Sequence, residues 1–274
     1  MTESPLVRVA LRVFSGGVLV FLYLPLVILA VYAFNPSRTL AWPPTGFTMN
    51  WFTQAAANPR IIEAFWNSSL AGVGATAVAL ILGTLAALAV QRFEFFGKET
   101  ISFIVILPIA LPGVVTGVAL STTFQTVGVD FGLATIIIGH ATFCVVIAYN
   151  NVIARLRRLP RSPEEASADL GADTFTTFRR ITLPGMRTAL LSGALLAFAL
   201  SFDEVIVTNF TAGPGTETIP LWILGAIQRP NELPVVNVVA LVLILLSVLP
   251  VYLAQRISEE AGGVTRSTGP GPRR

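Results

Sequence analysis

Between Ser162 and Gly185 the chain reads SPEEASADLGADTFTTFRRITLPG, a polar stretch set between two long apolar runs. It carries the acids Glu164, Glu165, Asp169 and Asp173 and the pair Arg179 and Arg180. Ser162 precedes Pro163 and stands three residues before Glu165, the spacing of a capping box with proline at the first helical position. Glu165 and Asp169, four apart, share one face of the helix that follows. Gly171 ends that helix, and Asp173 caps a second short one bearing Phe175, Phe178 and Ile181 at helical spacing. Arg179 and Arg180 fall in its last turn, where the macrodipole favours cations, and Pro184 stops it. The product is a bent knob of two short helices with apolar and acidic side chains in water. A plain connector needs only a few residues, so a shaped knob of this kind reads as a docking surface. Capping alone would also account for Glu165, and membrane anchoring alone for Arg179 and Arg180; both readings stand beside docking.

The flanking runs decide the class. Of 274 residues, 54% are hydrophobic and 12% charged, against about 25% charged in soluble domains. Several runs are long enough to cross ~30 Å of hydrocarbon, which makes this an all-α membrane protein. Six spans are expected, at roughly 13–34, 67–91, 101–124, 133–154, 189–212 and 235–256, the first kept as an anchor and not a cleaved leader. Orientation follows from the basic residues. If both termini are cytoplasmic, the outer segments hold only Arg38, Arg60 and Arg229, and the rest of the 18 Lys and Arg fall inside. That asymmetry is the positive-inside signature, and it places the polar knob in the cytoplasm.

Trp42, Trp51, Trp66 and Trp222 all lie in or beside the outer segments, where amphipathic rings suit the headgroup level. Part of the first outer segment, MNWFTQAAANPRIIEAFWNSS, 49–69, is a candidate surface-lying helix. The tail from 257 to 274, rich in Gly, Pro and Arg, reads as disordered. This divides the chain into 1–66, a transmembrane domain at 67–256 with its loop at 155–188, and the tail 257–274.

The fifth span carries FALSFDEVIVTNF, 198–210. Counted from Thr188, Asp203 lies about 22 Å along a helix, past the midplane toward the outer leaflet. Carboxylates at such depth face a partner or a watery pathway. Neighbouring residues point about 100° apart, so Asp203 and Glu204 cannot both face one lumen. One of them would line a path, with Phe202 and Pro112 nearby, while the other pairs between helices; a span that ends early would instead leave both among headgroups. An acidic path suits an oligoamine cation, which needs compensating charge as it sheds water. Pro108 and Pro112 should kink the third span, for a cavity or for packing. His140 and Cys144 lie four apart on one face, too few for a metal site, so a hydrogen-bonded histidine and a small buried thiol are expected. Asn150 and Asn151 should bond between helices or cap.

The chain contains no GxxxxGK[ST] phosphate loop, no nucleophile–base pair and no zinc motif, so neither ATP hydrolysis nor other catalysis is assigned to it. One cysteine excludes a disulfide framework, and the basic balance is topological, with no nucleic acid implied. An ATP-independent carrier would show repeated halves; none is visible, and such a carrier has no use for the knob.

Glu165-Ala166, then Gly171 after four intervening residues and Ile181-x-Leu183-Pro184 after nine more, resembles the "EAA" loop of binding-protein-dependent ABC importer permeases. Ser167 stands where that family usually has alanine. FNPSR (34–38), LPIALPGVVTGVAL (107–120), GHATFC (139–144), NNVIARLRR (150–158), ALSFDEVIVTNFTAG (199–213) and VNVVAL (236–241) resemble the spermidine/putrescine type within it. The resemblance implies a MetI-like, type I importer core with Glu165, Ala166, Asp169, Gly171, Phe175, Phe178, Ile181, Leu183 and Pro184 in ATPase coupling. It further implies a second, distinct permease, two ATPase subunits that bind ATP and Mg, an extracytoplasmic binding protein, and a place in the bacterial plasma membrane. Polyamine is the expected cargo, with another amine or amino-acid-like solute as the alternative, because Gly113 replaces an aspartate common after the third-span proline in this type. The apolar outer segment 213–234 is a candidate contact for the binding protein.

Overall fold

The computed structural model describes residues 5–38 and 42–263. The described residues are helical throughout, joined by turns. In order these are α1 Pro5–Phe34, α2 Asn50–Ala57, α3 Pro59–Arg92, α4 Lys98–Ala110, α5 Gly113–Thr126, α6 Leu133–Leu156, α7 Ser162–Asp169, α8 Thr174–Thr177, α9 Leu183–Phe202, α10 Ile206–Thr211, α11 Ile219–Ile227 and α12 Leu233–Gly263. Two compact units divide them, one within Met1–Ile62 and Trp222–Leu246, the other within Glu63–Leu221 and Ser247–Arg274.

Among the described residues, α1, α3, α6 and the continuous helix Thr174–Phe202 are each long and apolar enough to cross a bilayer. The expected third span is no single rod: α4 and α5 meet at 105°. Leu111 is extended there, as the residue before a proline prefers, and Pro112 opens α5. α12 carries a shorter apolar stretch, Leu233–Val248. Its helix runs on to Gly263, past the expected tail boundary at 257, and residues 264–274 lie outside the described residues.

In the first unit, Asn35 gathers the turn after α1. Its carbonyl accepts the Trp51 indole N–H at 2.8 Å, and its Oδ1 accepts the Ser37 N–H at 3.1 Å. Trp51 is therefore buried, as is Trp222, whereas Trp42 and Trp66 are exposed. Its carbonyl partner lowers the cost of burying the Trp51 indole. Part of the segment 49–69 forms a helix of its own, α2, and the remainder joins α3. Asn58 breaks the chain after α2, its Oδ1 accepting the Arg60 N–H, and Pro59 starts α3, which absorbs 59–66 as its own first turns.

The second unit is built on α6, whose residues are buried along most of its length. α6 and α9 pack antiparallel along a seam of small and polar residues. His140 meets Ser201, Cys144 meets Ala197, and Gly193 packs against Ala148, each pair one turn on along α6 and one turn back along α9. α3 closes on the other side through Gly83, where an added Cβ would lie 2.8 Å from the Tyr149 nitrogen and 2.9 Å from the Val145 carbonyl oxygen. Small residues permit this approach, which is how helices associate when lipid offers no hydrophobic drive. Asn151 does not bridge helices as expected; its amide donates to Ile147 O in its own helix, and Asn150 is exposed.

Gly83→Val should therefore overpack a backbone contact at a cost of about 1–3 kcal/mol. Gly17→Ala, with nothing within 4 Å of the added carbon, should be tolerated. Thermal unfolding of the two variants in detergent checks the contrast, and equal midpoints would refute the close α3–α6 approach.

Candidate functional site

The polar arm folds much as its residues dictate, with differences at both ends. α7 starts one residue earlier than the capping box requires: Arg161 is the N-cap, its carbonyl accepts the Glu164 and Glu165 N–H groups, and no side-chain cap bond forms. Ser162 thus lies inside the helix. At the other end Gly171, at φ +80°, completes a Schellman closure. Its N–H donates to Ala168 O at 2.8 Å and the Ala172 N–H to Ser167 O at 3.1 Å, satisfying carbonyls the helix leaves open. Asp173 Oδ1 then accepts the Thr176 N–H at 2.6 Å and starts α8. That bond holds the exposed Asp173 carboxyl below its ordinary range, so the cap stands above the usual aspartate pKa and is lost only as pH falls through the depressed value.

Pro184 does not stop this helix. Phe178–Thr182 form a π-turn, Leu183 donates its N–H to Phe178 O, and the helix continues into α9. The wider turn accommodates a proline that has no N–H to give. Phe175 and Phe178 differ in their surroundings. Phe175 is 69% exposed, whereas Phe178 packs on the cluster of Val90, Tyr149, Val152, Ile153, Leu156 and Met186. Phe178 thus roots the knob; Ile181 and Leu183 are half-buried, while Glu165, Ala166, Asp169, Gly171 and Pro184 are exposed.

Three further residues complete the knob. Leu170 stands 88% exposed at its tip. The Ser167 hydroxyl lies 2.9 Å from that of Thr177 and ties α7 to α8, so serine at this position has a partner that alanine lacks. Glu164, and not Glu165, faces inward: its Oε1 accepts from Arg92 Nη2 and from Thr182 Oγ1, both at 2.8 Å. Arg161 adds a bond to Gln91 O at 2.9 Å, and Arg155 Nε one to Gly185 O at 2.9 Å. The knob is thereby strapped to the end of α3 and to the base of α9. The only sequence signal was that two adjacent glutamates cannot face the same way.

The fifth span breaks after Phe202 and resumes at Ile206. Glu204 Oε1 accepts the Val207 N–H at 2.9 Å and so starts α10. Asp203 is exposed and makes no side-chain hydrogen bond or ion pair among the described residues. Phe202 joins Phe65 and Phe198 in an aromatic cluster, with centroids 6.0 and 5.5 Å away. α5 lies along α10, Gly113 against Ile206 and Gly117 against Phe210. His140 is buried and bonded on both ring nitrogens, to Ser201 at 2.7 Å and Thr208 at 2.8 Å. Cys144 is buried too, its thiol donating to Ala197 O at 3.3 Å.

A strapped, capped polar arm rooted in a packed bundle of apolar helices, with one span broken at an acidic pair, defines a membrane component of a transporter. The profile of one such family, described as the binding-protein-dependent transport system inner membrane component, matches residues 79–261. This chain belongs to that family: it is a multi-pass permease subunit of an ABC importer in the bacterial plasma membrane. It is 34% identical over 248 residues to the spermidine/putrescine transport system permease protein PotC of Haemophilus influenzae, spanning 90% of this chain and 95% of that one. To the putrescine transport system permease protein PotI of Escherichia coli it is 35% identical over 228 residues, 80% of each chain. In fold it is similar to a bacterial ABC transporter involved in the import of alginate, with TM-score 0.70 at 15% identity over 95% of this chain and 99% of that one. The MetNI methionine transporter in inward-facing form gives TM-score 0.58 at 18% identity over 73% and 93%.

Hydrogen bonds to charged groups contribute about 1.5–3 kcal/mol each, so Arg92→Ala should loosen the arm. Faster amide exchange across 162–182 is the expected result, with partial recovery in the swapped pair R92E/E164R. Exchange unchanged in R92A would show that the strap holds nothing.

Proposed function

We propose that this chain forms one half of the translocation path of an ATP-driven polyamine importer, for putrescine or spermidine. Six crossings are counted when α4–α5 and α9–α10 each make one and α12 another, with both termini and the knob in the cytoplasm. Near-full-length likeness to permeases named for spermidine and putrescine carries this reading. Its partners are a second, distinct permease, an extracytoplasmic binding protein that touches 213–234, and two ATPase subunits. Those subunits bind the ATP and Mg, and this chain holds no cofactor of its own.

Coupling runs through the knob. Leu170 and Phe175 insert into the ATPase surface, Glu165 and Asp169 flank them, and Phe178, Ile181, Leu183 and Pro184 carry the displacement into α9. On the path, Asp203 supplies the negative charge a desolvated cation needs, lined by Phe202 and Pro112. Glu204 keeps α10 in place. The second reading, a smaller amine or an amino-acid-like solute, is favoured by Gly113, which offers no second carboxylate.

Glu165→Lys and Gly171→Pro should leave the protein in the membrane yet separate ATP hydrolysis from uptake; coupled transport at the normal rate in both would remove the knob from the mechanism. Asp203→Asn should cut polyamine uptake severely, whereas Glu204→Gln, which keeps an oxygen for Val207, should be mild. The reverse order would exchange their roles. A ligand screen on the partner binding protein separates polyamine from the second reading.

A further inference from the structure

We infer that His140 is a clasp that fixes the two arms of the broken fifth span and so positions Asp203, a role that rests on Asp203 lining the path. The break leaves Asp203–Val205 outside any helix, and His140 reaches across it from α6, Nδ1 to Ser201 before the break and Nε2 to Thr208 after it.

The protons can be assigned by counting donors. Thr208 Oγ1 lies 2.9 Å from Glu204 O, and a carbonyl only accepts, so the threonine proton is committed there. Thr208 must then accept from His140, which places the ring proton on Nε2. Nδ1 is left as an acceptor for the Ser201 hydroxyl. A helical serine ordinarily returns its proton to the carbonyl one turn back, but that carbonyl, Ala197 O, is taken by the Cys144 thiol. Ser201 therefore has its proton for the imidazole. Every donor in the cluster has one acceptor, and the chain of bonds ends on Glu204, the residue that also starts α10 through the Val207 N–H. Thr135 on α6 adds a shared contact, its one hydroxyl proton lying between Thr211 O at the end of α10 and Gly132 O, each 2.8 Å away. α6 is thus the rigid bar against which the angle of the break is set, and His140 is a positioning residue for the acid beside it.

A purely space-filling role and a clasp predict different things. Replacing all three side chains, H140L/S201A/T208V, removes the imidazole together with both of its hydroxyl partners and leaves only the Glu204 carbonyl short of its threonine donor, which avoids most of the cost of a half-removed cluster. That variant should assemble with the full transporter, yet putrescine uptake per ATP hydrolysed should fall about ten-fold, the scale of one lost positioning bond. His140→Gln, which keeps one acceptor and one donor, should recover most of it. Because the chain has a single histidine, nitrogen-15 labelling of this subunit alone gives one imidazole spectrum in the assembled complex. The expected signature is a protonated Nε2 and a bare Nδ1, with Nε2 shifting in T208V. Wild-type uptake per ATP in the triple variant, or a proton on Nδ1, overturns the clasp. If instead D203N transports normally, the path reading fails while the nitrogen spectrum still decides the clasp by itself.

Discussion

Lipid offers no hydrogen bonds, so any interruption of a buried helix must be repaired by the protein itself. This chain interrupts its helices between α4 and α5 and between α9 and α10, and each interruption has an identifiable repair. Between α4 and α5 the repair is proline chemistry: Leu111 extends, Pro112 opens the next helix with no N–H to satisfy, and its carbonyl receives the Val115 and Thr116 N–H groups. Between α9 and α10 the repair is side chains: the Glu204 carboxylate takes the freed Val207 N–H, and the Thr208 hydroxyl, itself held by His140, donates to the Glu204 carbonyl. At the foot of α9 a π-turn carries the helix past Pro184.

Repairs of this kind need a fixed reference, and the α6–α9 seam provides it. Alanine, glycine, cysteine and serine recur one turn apart on the facing stripes, so the backbones approach closely and a short thiol or hydroxyl reaches the opposite helix. The same close approach that packs the seam brings His140 within reach of both arms of the break. Packing and polar repair are therefore one feature. A larger residue at Gly139, whose added Cβ would lie 3.1 Å from Val207, would press on α10 beside the His140 cluster.

The knob obeys a different solvent. Outside the apolar layer, caps and ion pairs replace close packing. The Schellman turn at Gly171 and the Asp173 cap give α7 and α8 their fixed angle, while Arg92, Glu164 and Thr182 bind that angle to α3 and to the root of α9. The knob thus has two attachments, and its root, Phe178, packs on the cluster that also holds α6.

The sequence by itself determined what depends on near neighbours: the membrane class from composition and run length, the helical knob from its spacing, the turn at Gly171 because a left-handed φ suits glycine, and the Asp173 cap because its acceptor lies three residues away. The importer permease likeness was legible for the same reason, being a local spacing pattern. What tertiary structure alone decided is which member of each acidic pair turns inward. Glu164 is chosen by Arg92, 72 residues away, and Glu204 by the break that exposes the Val207 N–H. His140 finds its partners 61 and 68 residues off. Helical periodicity places two adjacent carboxylates on different faces, but only the packed neighbours say which face is occupied, and no spacing in the chain encodes those distances.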